Sequence, residues 1–437
     1  RAAVDRALAI EEGVSERERT YVEALAKRYA ADGEADRAPL DRAYAEAMRK
    51  LVDRYPDDLD AATLYAAALM NLSPWDYWHP DGRPKESTGA ILGILESVLE
   101  RNPHHPGALH YYIHAVEARH PERGESAADR LRGLMPSAGH MVHMPSHIYM
   151  RTGRYRDAWE VNVDASAADE SYIAQCRAQG IYPLNYYPHN VHFLVWAAMS
   201  QGRSAAALEV AEKVARAVPG TLAPDQNAWS IHESFLAQPL FVMTRFGMWE
   251  RILEAPRPEV ESHFLTGIWH YARALAYVHT GRPWRAGREL RRLSARGDAV
   301  AGLERYVGFG AADRLLTIAE QIVAGELAAA GGRYEQALGH LERAVRLEDG
   351  LAYNEPPDWY FPVRHVLGAV LLEAGYPAEA EVVYWQDLRR NPENGYSLFG
   401  LLQSVAAQGR KEEASEIADR FEAAWSDADV ELTSSRF

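Results

Sequence analysis

The chain has 437 residues, 47% of them hydrophobic and 25% charged, with 47 Lys and Arg against 62 Asp and Glu for a formal charge of −15. That acidic balance argues against a nucleic-acid groove or a polybasic membrane surface, both of which need clustered Lys and Arg to offset phosphate charge. Cys176 is the one cysteine, which excludes a disulfide framework and any CxxC metal, redox or haem motif, and no apolar run approaches the ~18–20 residues of a membrane span.

In chain order, residues 1–55 read as N-terminal helices, entered at Arg1 inside a charged helical pattern. A segment upstream is expected, and a removed signal peptide is left open. The lone cysteine suits the cytoplasm, and a missing start leaves export open. Residues 56–220 read as histidine-rich repeats, 221–325 as divergent helical repeats and 326–437 as regular repeats, in one continuous array. Two inserted loops interrupt it, Ser73-Pro-Trp-Asp-Tyr-Trp-His-Pro-Asp-Gly82 and Glu355-Pro-Pro-Asp-Trp-Tyr-Phe-Pro362. With their stiff prolines and Trp75, Trp78 and Trp359, they either plug a gap between helices or wall a ligand site.

Apolar residues recur at i, i+3, i+4 and i+7 almost throughout, so the fold class is all-α. Gly153, Gly202, Gly281, Gly332, Gly375 and Gly409 are each followed five residues later by alanine (Ala158, Ala207, Ala286, Ala337, Ala380, Ala414), and Gly247 by Ile252. The glycine ends one helix in a tight turn, and the alanine lets the next helix pack closely. Prolines at 56, 103, 136, 219 and 392 punctuate the ends of second helices. Two intervals, 247 to 281 and 375 to 409, are 34 residues. That is the tetratricopeptide period, which predicts an α-solenoid of antiparallel helix pairs wound into a right-handed superhelix.

Seventeen histidines accompany the single cysteine. Three runs hold eight candidate metal ligands: His110, His114 and Glu117; His140, His143 and His147; His189 and His192. Steps of three and four residues put each run on one helix face. His140 and His143 lie 13 and 10 residues before Gly153, and His189 and His192 lie 13 and 10 before Gly202. The runs therefore share one register, which in these arrays faces the groove. Neighbouring first helices ~10 Å apart can bring imidazoles onto one ion at ~2.0–2.1 Å. The set suffices for one or two transition-metal ions, with copper or iron preferred and zinc possible. Glu117 is a ligand or a general base. The alternatives are histidines that recognise an anionic or peptide ligand, and buried histidines that only satisfy hydrogen bonds. Pro145 is expected to kink its helix. His365 shares the register but joins the site only if the superhelix closes. His232, Glu233, His263, His270 and His279 are expected to be structural, and Cys176 to be buried packing.

The runs His110-Tyr-Tyr-Ile-His-Ala-Val-Glu117, Val142-His-Met-Pro-Ser-His-Ile-Tyr149 and Ile181-Tyr-Pro-Leu-Asn-Tyr-Tyr-Pro-His-Asn190 resemble those of a bacterial group of large, histidine-rich tetratricopeptide-repeat proteins. The resemblance extends through Glu355-Pro-Pro-Asp-Trp359 to Gly400. It implies the fold and further helix pairs upstream, and it implies no reaction. From the residues, the leading expectation is a metal-dependent enzyme acting on a small organic or peptide-derived substrate in the groove, with oxidation preferred to hydrolysis. Its rivals are a non-catalytic scaffold that binds a peptide or partner protein, and a metal carrier. Exposed ends of such arrays are either capped or self-associating.

Overall fold

The structure is a computed structural model whose described residues are all except 11, 80, 178, 181 and 219–228. Pro219, the expected boundary at 220/221, Pro80 of the first loop and Ile181 of the third run lie outside the described residues. The chain is all-α and tetratricopeptide-like, in two compact units, Arg1–Pro136 and Ser137–Phe437. The division at Pro136 falls within the segment 56–220 that the sequence groups as one histidine-rich block.

The repeat turns follow directly from the glycine spacing. All seven marker glycines adopt positive φ, between 60° and 83°. At each, the N–H of the following residue donates to the carbonyl five residues earlier, as in Arg154 to Tyr149, Arg282 to Tyr277 and Tyr376 to Leu371. This bond satisfies a carbonyl that the helix end would otherwise leave open. The alanines five residues on, and Ile252, are all buried.

In the unit Arg1–Pro136, the helices Glu16–Lys27, Arg37–Arg54, Leu59–Met70, Thr88–Arg101 and Pro106–Val116 each pack on the next. Ser15 opens the first of these with a capping box, its hydroxyl taking the Glu18 N–H while Glu18 takes the Ser15 N–H. Pro106 begins the helix that carries His110 and His114, and the His105 ring caps it by accepting from Ala108 N–H.

In the unit Ser137–Phe437, helices pack on their sequence neighbours and also next-but-one, Tyr187–Ser200 on Ile231–Arg245 and His263–His279 on Ala312–Ala330. That double contact is what stacked helix hairpins produce, and it buries one continuous core from Val191 to Ile417. A three-stranded patch of two-residue strands (Trp229–Ser230, Tyr306–Val307, Gly310–Ala311) is the β-sheet among the described residues. No helix of the described residues is long and apolar enough to cross a membrane.

Candidate metal centre

The His140–His147 run does not form one kinked helix, as the sequence suggests. Pro145 divides it into two, Gly139–His143 and Pro145–Arg151, with Met144 between them. Pro145 starts the second helix because its missing N–H costs nothing in the first turn. His143 ends one helix and His147 lies in the first turn of the other, so both rings reach one point.

The helix Tyr155–Cys176 packs on this pair and holds it. Gly139 is required for the approach, since a Cβ there would lie 1.8 Å from Asp169 Oδ1. Asp169 in turn accepts from Tyr182 Oη (2.6 Å) and Asn190 Nδ2 (2.7 Å), fastening the helix Tyr187–Ser200 that carries His189. Burial raises the Asp169 pKa.

The result is a group of three imidazoles, His143, His147 and His189, with one ring nitrogen of each within 4.8 Å of the others. His143 and His147 are buried, and His189 is half-buried. Phe193 closes one side, its ring 4.6, 4.7 and 5.1 Å from the three imidazoles.

Two further residues fix the tautomers. Asn162 Nδ2 donates to the Ala158 carbonyl (2.7 Å), which leaves Asn162 Oδ1 facing His143 Nδ1 at 2.6 Å. An amide oxygen only accepts, so His143 carries its proton on Nδ1. The Glu355 carboxylate lies 3.0 Å from His147 Nδ1 and likewise accepts. Tyr353 donates to the same carboxylate, and Arg151 Nε lies 3.8 Å from it. The Nε2 atoms of the two rings face each other at 3.0 Å. Burial, with His147 and His189 close by, holds the His143 pKa well below the usual imidazole value.

The remaining expected residues are distributed as follows. His140 stacks 6.2 Å from His143 and packs edge-on to Tyr186 at 5.2 Å, beside the three-imidazole group rather than in it. His192 sits about 60° around its helix from His189 and faces a different neighbour. It packs on Phe235 at 5.6 Å, and burial pushes its pKa to about 3. In the other unit, His110 and His114 lie 4.9 Å apart by ring centroid, and Glu117 Oε1 lies 3.2 Å from His114 Nδ1. The first loop packs on that helix, Trp78 Nε1 donating to the Ala115 carbonyl at 2.7 Å and Trp75 set edge-on to His114.

The residues outside the group fall as follows. His365, left open by the sequence, is buried between Arg245 and Asp387 at 2.9 and 3.0 Å. Cys176 is exposed, not buried, because its helix ends there with Arg177 in the left-handed region. The second loop contributes in two ways at once, Trp359 being core while Glu355 braces His147. Of the residues expected to be structural, Glu233 pairs with Arg305, and His270 and His279 lie 2.6 and 3.0 Å from the Glu289 and Glu326 carboxylates. Neither Asn162 nor Glu355 was marked by the histidine pattern; the one available signal was the polar, proline-flanked start of the Glu355 loop.

No protein-family model matches the chain. Cellulose synthase operon protein C of Xanthomonas axonopodis pv. citri (strain 306) is 37% identical over 105 residues, which is 24% of this chain and 6% of that protein. The chain thus matches only a small part of that relative's length. Among solved structures, the human IFIT1 dimer with m7Gppp-AAAA is 13% identical, covering 97% of this chain and 93% of that one at a TM-score of 0.36. Yeast Tom70 is 10% identical, covering 89% of each chain at a TM-score of 0.34.

Proposed function

We propose that the chain is a metal-binding helical-repeat protein whose centre is His143, His147 and His189. The observation that carries this reading is the convergence of three imidazoles, one ring nitrogen of each within 4.8 Å of the others. The Nε2 atoms of His143 and His147 lie 3.0 Å apart, and ligands at ~2.0–2.1 Å on a tetrahedral ion are themselves roughly 3.3 Å apart. The Asn162 and Glu355 contacts are those that metal-bound imidazoles normally make through their other nitrogen.

The donor set is all imidazole, without thiolate, which suits zinc, copper or iron. Three protein ligands leave a coordination position open, the arrangement of catalytic rather than structural sites. We therefore favour metal-dependent chemistry on a small organic or peptide-derived substrate. His110 and His114, with rings 4.9 Å apart and Glu117 on His114 Nδ1, are the candidate pair for a second ion, which would need ligands beyond this helix. The non-catalytic scaffold has its own supporting observation, an extended segment seated across the helices of the unit Ser137–Phe437.

Cobalt titration of metal-stripped protein tests the site, because four-coordinate Co(II) absorbs strongly in the visible where the hexaaquo ion does not. The expected result is a saturable visible band at about one equivalent that disappears in His189→Ala. A spectrum indistinguishable from aqueous cobalt, or one unchanged in His189→Ala, would remove the proposal.

A further inference from the structure

The segment 429–437, Asp-Val-Glu-Leu-Thr-Ser-Ser-Arg-Phe, has no regular secondary structure yet makes specific contacts on seven helices. It turns back after the helix Lys411–Ala424, where Trp425 Nε1 donates to the Val430 carbonyl at 2.9 Å. The Asp429 carboxylate then accepts from the N–H groups of Ser204 (2.6 Å) and Ala205 (3.0 Å), at the start of the helix Ser204–Ala217.

The other anchors are the last three residues. Ser435 is fully buried; its hydroxyl donates to the His365 carbonyl at 2.8 Å and lies 2.7 Å from Tyr384 Oη. Arg436 reaches Glu326 Oε1 at 2.9 Å and also pairs with Glu373. Its carbonyl accepts from Arg245 Nη1 at 2.8 Å. The Phe437 ring sits among Trp249, His279 and Phe361, at 5.6, 5.2 and 6.0 Å. Between the anchors, Val430 to Ser434 are exposed or half-buried.

These contacts divide as they do in peptide-recognition grooves: a main-chain carbonyl fixes position, and side-chain pockets read identity. The pockets are specific in kind. Glu326 is 2% exposed and Arg245 is 2% exposed, so each carries a charge that is costly to bury without partners. Arg436 helps hold the Glu326 carboxyl below its usual range. An empty groove would leave Glu326 with His279 alone, which favours an occupant at all times. A leash of weakly held residues between two anchors lets that occupant exchange.

We infer that this surface is a peptide-binding groove for an extended segment carrying a small hydroxyl residue, an arginine and an aromatic residue in succession, and that residues 429–437 occupy it in cis. The partner is an unstructured segment of another protein with that sequence chemistry. The inference deepens the scaffold reading and is independent of the metal centre.

The test uses the chain Arg1–Phe437 with the double substitution Arg436→Ala, Phe437→Ala, and a fluorescein-labelled peptide of the sequence of residues 429–437. Fluorescence anisotropy should show saturable binding to the double variant, and binding at least ~10-fold weaker to the unaltered chain, whose groove is filled. A peptide with alanine in place of its arginine should bind the variant at least ~10-fold more weakly. A variant with unaltered helical circular dichroism that binds neither peptide, or both equally, would overturn the inference. Should the variant not fold, hydrogen exchange on the unaltered chain decides. Residues 430–437 opening faster than the surrounding helices, and faster still with excess unlabelled peptide, supports exchange of the occupant; protection equal to the helices overturns it. Repeating the titration in EDTA separates the two proposals, because loss of the metal leaves peptide binding unchanged if the groove acts on its own.

Discussion

At His143 the decisive contact is made by a residue with no metal chemistry of its own. Asn162 is held by the Ala158 carbonyl, and this fixes which nitrogen of His143 carries the proton. Glu355 lies against His147 Nδ1 in the same way. Replacing either, as Asn162→Leu or Glu355→Gln, is expected to weaken metal affinity by about 10–100-fold while leaving the three ligands in place. Calorimetric titration of the stripped variants checks this, and unaltered affinity would show the contacts to be incidental. His143, His147 and His189 were legible in the sequence because the repeat register puts them on one face. Their braces were not, since Glu355 lies 208 positions from His147 and a local period carries no information about so distant a pairing. His192 shared the register of His143 but turned into the core beside Phe235. A three-residue step covers only ~300° of helical rotation, so His189 and His192 diverge by enough to face different neighbours.

Helix packing depends on close approach at a few positions. The Tyr384 ring lies between Gly368 and Gly400, where an added Cβ would come within 2.4 and 2.1 Å of it. Gly400→Ala is expected to cost about 1–3 kcal/mol through overpacking and to lower the unfolding midpoint without changing metal stoichiometry; an unshifted melting curve would contradict this. Glu348 offers a test by pH. It is half-buried in the helix Tyr334–Asp349, accepts from Val363 N–H at 3.1 Å, and has its pKa pushed up to about 8. Burial is the main cause, and Asp387 and Asp349 add to it, against the Val363 hydrogen bond and the opposing charge of Arg364. A raised folded-state pKa means that the contribution to stability is fully present below the unfolded value near 4.5. It is lost as pH rises through about 8. Chemical denaturation from pH 5 to 9 should therefore show a decline that Glu348→Gln flattens, and parallel profiles for the two proteins would refute the assignment. The glycine spacing made the helix hairpins readable, since positive φ and a small residue five positions on are local demands. The break at Pro145 was only half readable: proline signals an interruption, but whether a helix bends or restarts is settled by what packs against it, here the helix Tyr155–Cys176.

At the scale of the molecule, the three imidazoles and both braces lie within the unit Ser137–Phe437. That unit also has its own continuous core. A fragment of residues 137–437 is accordingly expected to fold cooperatively and to bind metal at the three-histidine centre, as judged by circular dichroism and metal titration; a folded fragment without affinity would show the centre to be incomplete in that unit. The central claim is the metal itself. Its most direct measurement is elemental analysis of untagged protein, alongside a His143→Ala, His147→Ala double variant with unchanged helicity. The account predicts about one transition-metal ion per chain at this centre, lost in the double variant. Less than about 0.2 ion per chain, neither raised by reconstitution nor altered by the substitutions, would contradict it.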